Sequence, residues 1–502
     1  MRSAIGLVCI VVLGVAAVGC GGGDDSGGNG GDGGGGSGGT AGVGGAGGAA
    51  GEGGSGGVGG AGGAGGIGGI GGAGGSGGVG GAGGSGGVGG IGGAGGSGGV
   101  GGAGGAGGIG GAGGMGGVGG SAGVGGAGGS GGVGGTGGSG ALCQDDLCPC
   151  TEAGVRAAVA AGGGPYTFDC DGPQTITTEA EIVISNDVIL DGGGDLVLDG
   201  DFDHRVFTVD QTANAQLLGI DVIQGNDMTN RAGAIVNNGT LVLRDCVLST
   251  NVGGGLRNLG TATVDNCIIS DNQGGGLRNE FSAAMTLTDS AVSGNVSDSF
   301  GLGGGIWSDG ALLSIGNTVS GNVAGSRGGG IYNSGSLTLI NSTVSGNAAG
   351  SLGGGIHTDN STVDVSLINS TVANNSAPNG SAVSSDSTAS QMLRGTILQG
   401  TCGGPNLFTS DGYNFESPGN TCAFDQVTDM ASVSEANLNL GALQDNGGPT
   451  QTHALDVGSV AINVIPEAMC LDEDRQPLTT DQRGEPRPGG TMCDVGSFEV
   501  QP

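Results

Sequence analysis

Between residues 165 and 400, aliphatic and polar residues alternate in short runs, and the runs recur. The unit is clearest in Gly328-Gly329-Gly330-Ile331-Tyr332-Asn333, then Leu337-Thr338-Leu339, then Asn341-Ser342-Thr343-Val344-Ser345-Gly346-Asn347. Its closing Asn returns at Asn226, Asn251, Asn272, Asn295, Asn322, Asn347 and Asn375, at spacings of 21 to 28 residues. Three positions earlier stand Ile223, Leu248, Ile269, Val292, Val319, Val344 and Val372, all aliphatic. Eight positions earlier stand Leu218, Leu243, Val264, Leu287, Ser314, Leu339 and Leu367, aliphatic except for the serine. Alternation with period two predicts strands. A variable repeat of this length with Asn and Gly corners predicts one coil of a solenoid, with coils stacked as parallel sheets ~4.8 Å apart. One coil buries too little apolar surface to offset the entropy of ordering it, so about nine or ten coils must share an interior. Turns absorb the variable length, and stacked corner Asn side chains can hydrogen-bond along their column.

The flanking stretches differ. Thr151 followed by Glu152 to Ala161 reads as a short helix with an N-cap Thr, stopped by Gly162 to Gly164 and placed to plug the open end of the solenoid. Upstream, glycine dominates: of 133 glycines, 77 lie in residues 21–140. The Gly-Gly-X triplets there bury too little for a globular core, so a flexible spacer is the default; packed polyglycine helices are the alternative that the strict triplet allows. The chain opens with Arg2, an apolar run from Ala4 to Val18 and the small residues Ala17-Val18-Gly19. This is the layout of a secretory signal, too short to span a bilayer comfortably. The expected organisation is a signal over 1–19, a Gly-rich tether over 20–140, a helical cap over 141–164, a solenoid over 165–400 and a C-terminal cap over 401–502.

Three resemblances sharpen this outline. Ala17-Val18-Gly19-Cys20 resembles the bacterial lipoprotein box. That implies a lipidated Cys20 and stable anchoring through its acyl chains; Gly21 rather than Asp after it implies the outer membrane or cell surface. Asp187-Val188-Ile189-Leu190-Asp191-Gly192 and the Gly-Gly-Gly-Ile units resemble bacterial right-handed parallel β-helix proteins, with a weaker similarity to polymorphic outer-membrane protein repeats. The implied fold is all-β: a right-handed parallel β-helix (solenoid) with an N-terminal helical cap, preceded by a disordered Gly-rich segment. Gly441 to Leu455, Gly458 to Asn463, Asp481-Gln482-Arg483-Gly484 and Asp494 to Glu499 resemble the choice-of-anchor Q domain. No sorting signal follows before Pro502, so the lipid at Cys20 is expected to supply the anchor.

Charge and cysteine usage narrow the partners. Acids number 45 against 12 basic residues, all Arg, for a net charge of −33. This excludes a nucleic acid held by its phosphates. The expected partners are a membrane, through the lipid, and polysaccharide. Setting aside Cys9 and Cys20, ten of the 12 cysteines remain, an even number suited to an oxidising compartment. Cys402 with Cys422 and Cys470 with Cys493 are candidate loop closures; Cys143, Cys148, Cys150 and Cys170 can form two more bonds near the helix. Cys246 and Cys267 stack on adjacent coils, either as a disulfide or as two buried thiols.

One column carries candidate chemistry. The residue after each Gly-Gly-Gly-Ile/Leu is Arg257, Arg278, Trp307, Tyr332 and His357. Alternation turns it outward, so five coils would present a stripe able to stack on sugar rings and grip acidic groups through Arg. The alternative is a stack that only stabilises its own sheet face. Asp191, Asp195, Asp199, Asp201 and Asp203 read as a solvated acidic edge, so no cofactor and no metal site is expected, with Ca2+ as the alternative the edge admits. Asp245, Asn266, Asp289, Gly316, Asn341 and Asn369 recur at corners and read as turn formers rather than a catalytic column. The expected role is non-catalytic: a surface lipoprotein for adhesion or glycan binding. A polysaccharide lyase or glycoside hydrolase on the same scaffold and a passive surface spacer are the alternatives. Carboxylates paired against the stripe would favour the enzyme, and an occluded stripe the spacer.

Overall fold

A computed structural model describes residues 142–502, apart from 298–299, 360–363, 388–390 and 405–407. The signal, Cys20 and the Gly-rich segment lie outside the described residues. The described chain is a parallel β-solenoid, as the repeat predicts. Each coil adds one short strand to a ten-stranded parallel sheet and further strands to a 21-stranded sheet, while a short four-stranded sheet lines one corner. Six consecutive strands of the ten-stranded sheet concern the site: β1 (Leu256–Asn258), β2 (Leu277–Asn279), β3 (Ile306–Ser308), β4 (Ile331–Asn333), β5 (Ile356–Thr358) and β6 (Val383–Ser385). Their inward residues Leu256, Leu277, Ile306, Ile331, Ile356 and Val383 are paired in register and buried. On the larger sheet Leu248, Ile269, Val292, Val319, Val344 and Val372 form a second inward column.

The repeat Asn residues form a buried ladder. Nδ2 of Asn251, Asn272, Asn295, Asn322 and Asn347 each donates to Oδ1 of the Asn one coil on, at 2.9–3.0 Å. Asn226 is not in it. The ladder position in that coil is Gly225, whose N–H donates to Asn251 Oδ1 at 2.8 Å, while Asn226 turns to Phe202 O. Accordingly Leu248 pairs with Val222 rather than Ile223, and Leu243 with Leu217 rather than Leu218. An Asn one place beyond the ladder displaced the sequence register there by one residue. Asp245, Asn266, Asp289, Gly316, Asn341 and Asn369 all take positive φ, 43–71°, which is the bend the coil makes at that corner.

The triple glycine has a steric cause. Gly303, Gly328 and Gly353 adopt φ of 56–65°, and a Cβ there would strike the backbone of the strand that follows. A Cβ on Gly305, Gly330 or Gly355 would lie only 2.8–3.0 Å from the Nδ2 of the ladder Asn. The motif therefore makes both the tight entry to each strand and the room for the ladder.

Four disulfides join Cys143–Cys148, Cys150–Cys170, Cys402–Cys422 and Cys470–Cys493. Cys246 and Cys267 are free thiols, which corrects that disulfide candidate. Stacked in-register side chains point the same way, and each Sγ already reaches a carbonyl: Leu217 O at 3.2 Å for Cys246, Asp265 O at 3.2 Å for Cys267. Helix α1 (Glu152–Ala161) forms as expected, capped by Thr151 Oγ1 accepting from Gly154 N and ended at Gly162. Its Val155, Ala158 and Val159 close the N-terminal end of the core.

Strands Cys402–Gly403 and Phe415–Ser417 carry the sheets past residue 400. The C-terminal segment does more than close the end. It lies along the flank of the last coils, where Gln482 bonds both Thr318 and Thr343, His453 Nε2 meets Ser345 Oγ at 2.8 Å, and Arg487 donates to Asn341. A second small core, including Ile397, Phe415, Leu438, Ile465 and Val495, fastens it. The outward Thr and Ser of the repeat thus serve as its docking surface.

Candidate functional site

The stripe exists. Arg257 pairs with Arg278, Arg278 with Trp307, Trp307 with Tyr332 and Tyr332 with His357, one on each of β1 to β5. Alternation along a strand places all five on the outer face of the ten-stranded sheet. Their exposure is uneven. Side chains of Arg257 and Arg278 are 26% and 16% exposed, Trp307 is half-buried, and Tyr332 and His357 are buried. The expectation of five open side chains is corrected at this end. The ring of Tyr332 stacks on His357 at 5.7 Å between centroids and meets Trp307 edge-on at 5.7 Å. The Arg278 guanidinium lies 3.7 Å from the centre of the Trp307 ring.

A second outward column, two residues further along each strand, was missed. After β2, β3, β5 and β6 it holds Glu280, Asp309, Asp359 and Asp386, and the first three partner stripe residues. Glu280 Oε1 accepts from Nε of both Arg257 and Arg278 at 2.7 Å. Burial opposes its charge, but the two guanidiniums outweigh this and hold its carboxyl below the usual range. Trp307 Nε1 donates to Asp309 Oδ1 at 2.8 Å, and the Tyr332 hydroxyl donates to Asp359 Oδ2 at 2.9 Å. Burial, with the Asp359 acceptor, pushes the phenol above its ordinary range. Burial also pushes His357 down to about 4, so it is neutral at neutral pH. The signal was available: positions i and i+2 of a strand share a face.

Two exposed rings accompany this part of the stripe: Phe281 directly follows Glu280 in the chain, and Phe300 lies against Arg231. Phe281 is 84% exposed and Phe300 58% exposed, and the Arg231 guanidinium lies 3.9 Å from the Phe300 ring centre and 5.8 Å from that of Trp307. Both phenylalanines sit in turns outside the repeat columns, where no periodicity marks them.

The acidic edge does not converge. Asp191 and Asp199 accept backbone N–H groups within their own turns. Among the described residues the group of potential metal ligands is instead His357, Asp359 and Asp386. His204 lies in another coil against Thr178, and His453 in the C-terminal segment.

The fold and flank define a parallel β-solenoid with a self-paired polar stripe on one sheet. No family model and no curated protein matches the sequence. Among solved structures the chain is similar to the one titled crystal structure of pectate lyase Pel9A, at 14% identity and a TM-score of 0.32, over 69% of this chain and 90% of that one. That likeness brings no residue roles with it.

Proposed function

We propose that this is a non-catalytic surface protein that contacts polysaccharide along the flank of its solenoid, near Arg257, Arg278 and Trp307. The observation that carries the reading is the in-register run of those side chains, together with the exposed rings of Phe281, next to Glu280 in the chain, and Phe300, which shares Arg231 with Trp307. Exposed aromatic rings supply stacking faces for sugar, and the paired Arg and acidic side chains supply donors and acceptors for hydroxyls. Because Glu280 pairs with both Arg side chains and cancels half of their charge, a hydroxyl-rich neutral sugar suits the flank better than the acidic groups first expected. Four disulfides support an exported protein. The lipoprotein box at Cys20 and the choice-of-anchor Q resemblance support placement at the outer membrane or cell surface.

The test is retention of the purified chain on a panel of immobilised neutral and acidic polysaccharides, with cleavage scored alongside. Phe281→Ala combined with Phe300→Ala is expected to lower retention on a neutral glycan about tenfold, at stacking values of ~0.5–1.5 kcal/mol per ring. Both rings are exposed, so the fold should persist. Retention that does not change defeats the reading, and cleavage without retention moves the protein to the lyase or hydrolase alternative, which the carboxylates set against the stripe, Glu280, Asp309 and Asp359, favour. The buried state of Tyr332 and His357 favours the passive-spacer alternative, which predicts no retention on any polysaccharide.

A further inference from the structure

His357 is fully buried on β5, and its Nε2 has no hydrogen-bond partner among the described residues. Its other nitrogen, Nδ1, lies 2.6 Å from Ser384 Oγ on β6. When Nδ1–H donates to that hydroxyl, Nε2 carries the lone pair of the ring, and it lies 3.9 Å from Asp386 Oδ2. Two acceptors facing each other, one of them fully buried, are unfavourable unless a cation lies between them. Asp359 completes the group: ligand atoms of His357, Asp359 and Asp386 all lie within 4.8 Å of one another. The cation now nearest is Arg327, whose Nη1 is 3.0 Å from Asp359 Oδ2 and 3.4 Å from Asp386 Oδ2. It serves the two carboxylates and leaves Nε2 unpartnered.

We propose that His357, Asp359 and Asp386 bind a divalent transition-metal ion of the zinc type, and that Arg327 is the internal cation this metal displaces. One imidazole with two carboxylates is a nitrogen and oxygen set that zinc accepts, whereas calcium and magnesium prefer oxygen alone. Two ligand atoms ~2.0–2.2 Å from one ion stand at most about 4.4 Å apart, and the His357–Asp386 separation of 3.9 Å falls inside that limit. Asp359 swings in as Arg327 leaves. The route is open: the side chains of Arg327, Asp359 and Asp386 are 34%, 39% and 44% exposed. Charge favours the exchange, since two carboxylates against one guanidinium leave a negative charge that a divalent ion removes. Ser384 Oγ can accept from Nδ1–H, which leaves Nε2 to the metal, and Tyr332 orients Asp359. The site requires nothing of the polysaccharide reading and stands or falls apart from it.

The experiment is calorimetric titration of the full chain with Zn2+ alone, with Co2+ absorption as a second readout. The wild type should show one strong site above the weak background of surface carboxylates. Arg327→Gln should tighten it, and Ser384→Ala should weaken it about 10–100-fold. His357→Asn and Asp386→Asn should each abolish it and its visible Co2+ spectrum. If His357→Asn does not fold, Asp386→Asn decides, because that side chain is substantially exposed. A wild type and an Arg327→Gln variant that both lack a strong site would overturn the proposal. So would a strong site indifferent to Asp386→Asn, or Ca2+ bound as tightly as Zn2+.

Discussion

Asn295 occupies four hydrogen bonds in the interior. Its Oδ1 accepts from both the backbone N–H and Nδ2 of Asn272, and its Nδ2 donates to Ile269 O and to Asn322 Oδ1. Truncation leaves buried donors and acceptors unpaired, each costing roughly 1–3 kcal/mol, and neighbours in a stacked column have no water to replace them. Asn295→Ala is therefore expected to cost about 2–4 kcal/mol, read as a shift of the urea midpoint by circular dichroism. Asn226→Ala, one place off the ladder and turned to Phe202 O, should stay within about 0.5 kcal/mol. Equal costs would mean that the ladder does not hold the corner. The sequence displayed this column because a buried, stacked amide tolerates no other side chain of its shape. It hid Gly225, because a backbone N–H can serve the same acceptor with no side chain to mark it. It hid the His357 cluster for a different reason: Asp359 and Asp386 look like ordinary turn residues until two coils are laid side by side.

At the scale of elements, strands and helix α1 were legible because local periodicity and capping chemistry specify them. The flank position of the C-terminal segment was not, since its contacts join residues more than a hundred apart, as Thr343 with Gln482 and Thr371 with Ser497. His453 lies in that junction, with Nε2 at Ser345 and Nδ1 2.7 Å from Gly441 O. Burial lowers its affinity for a proton. Between the folded value and the ordinary one near 6.5, the unfolded chain binds the extra proton, so stability is full above that upper limit and falls as pH drops through the folded value. Asp494 works the other way. Burial raises it to about 6, so the folded form takes up a proton first and gains stability on acidification below that value. The comparison that separates them is His453→Gln, whose amide can still serve Ser345 and Gly441. The wild type should lose more thermal stability than this variant between pH 7 and pH 5. Parallel curves would show that His453 titrates no differently folded than unfolded.

At the scale of the molecule, charge separates what the solenoid tolerates from what it attracts. All but four of the 45 acids (Asp24, Asp25, Asp32 and Glu52) fall after residue 140, within the part that carries the coils. Most of the arginines there are already committed to acids, as Arg205 is to Glu181 and Asp227, and Arg394 to Asp411. The remaining acids repel one another across the surface, and that repulsion is screened over about 8–10 Å at physiological ionic strength. Exposed ion pairs, which salt also weakens, contribute roughly 0–1 kcal/mol each, so the excess of unpaired carboxylates should decide the sign. Raising NaCl from about 10 mM to about 150 mM is therefore expected to raise the melting temperature by a few degrees. A fall would mean that the Arg–acid pairs along the coils outweigh the repulsion. The same balance bears on the flank. A polyanion approaching Arg257 and Arg278 meets Glu280 between them and a negative surface around them, so its retention should grow with added salt from a weak start. A neutral glycan held by stacking on Phe281 and Phe300 feels neither effect, and its retention should change little over that salt range. Retention of a uronate polymer that is strong at low salt and lost on raising it would reverse the assignment, making free guanidinium charge, rather than ring faces and hydroxyl pairing, what the stripe presents.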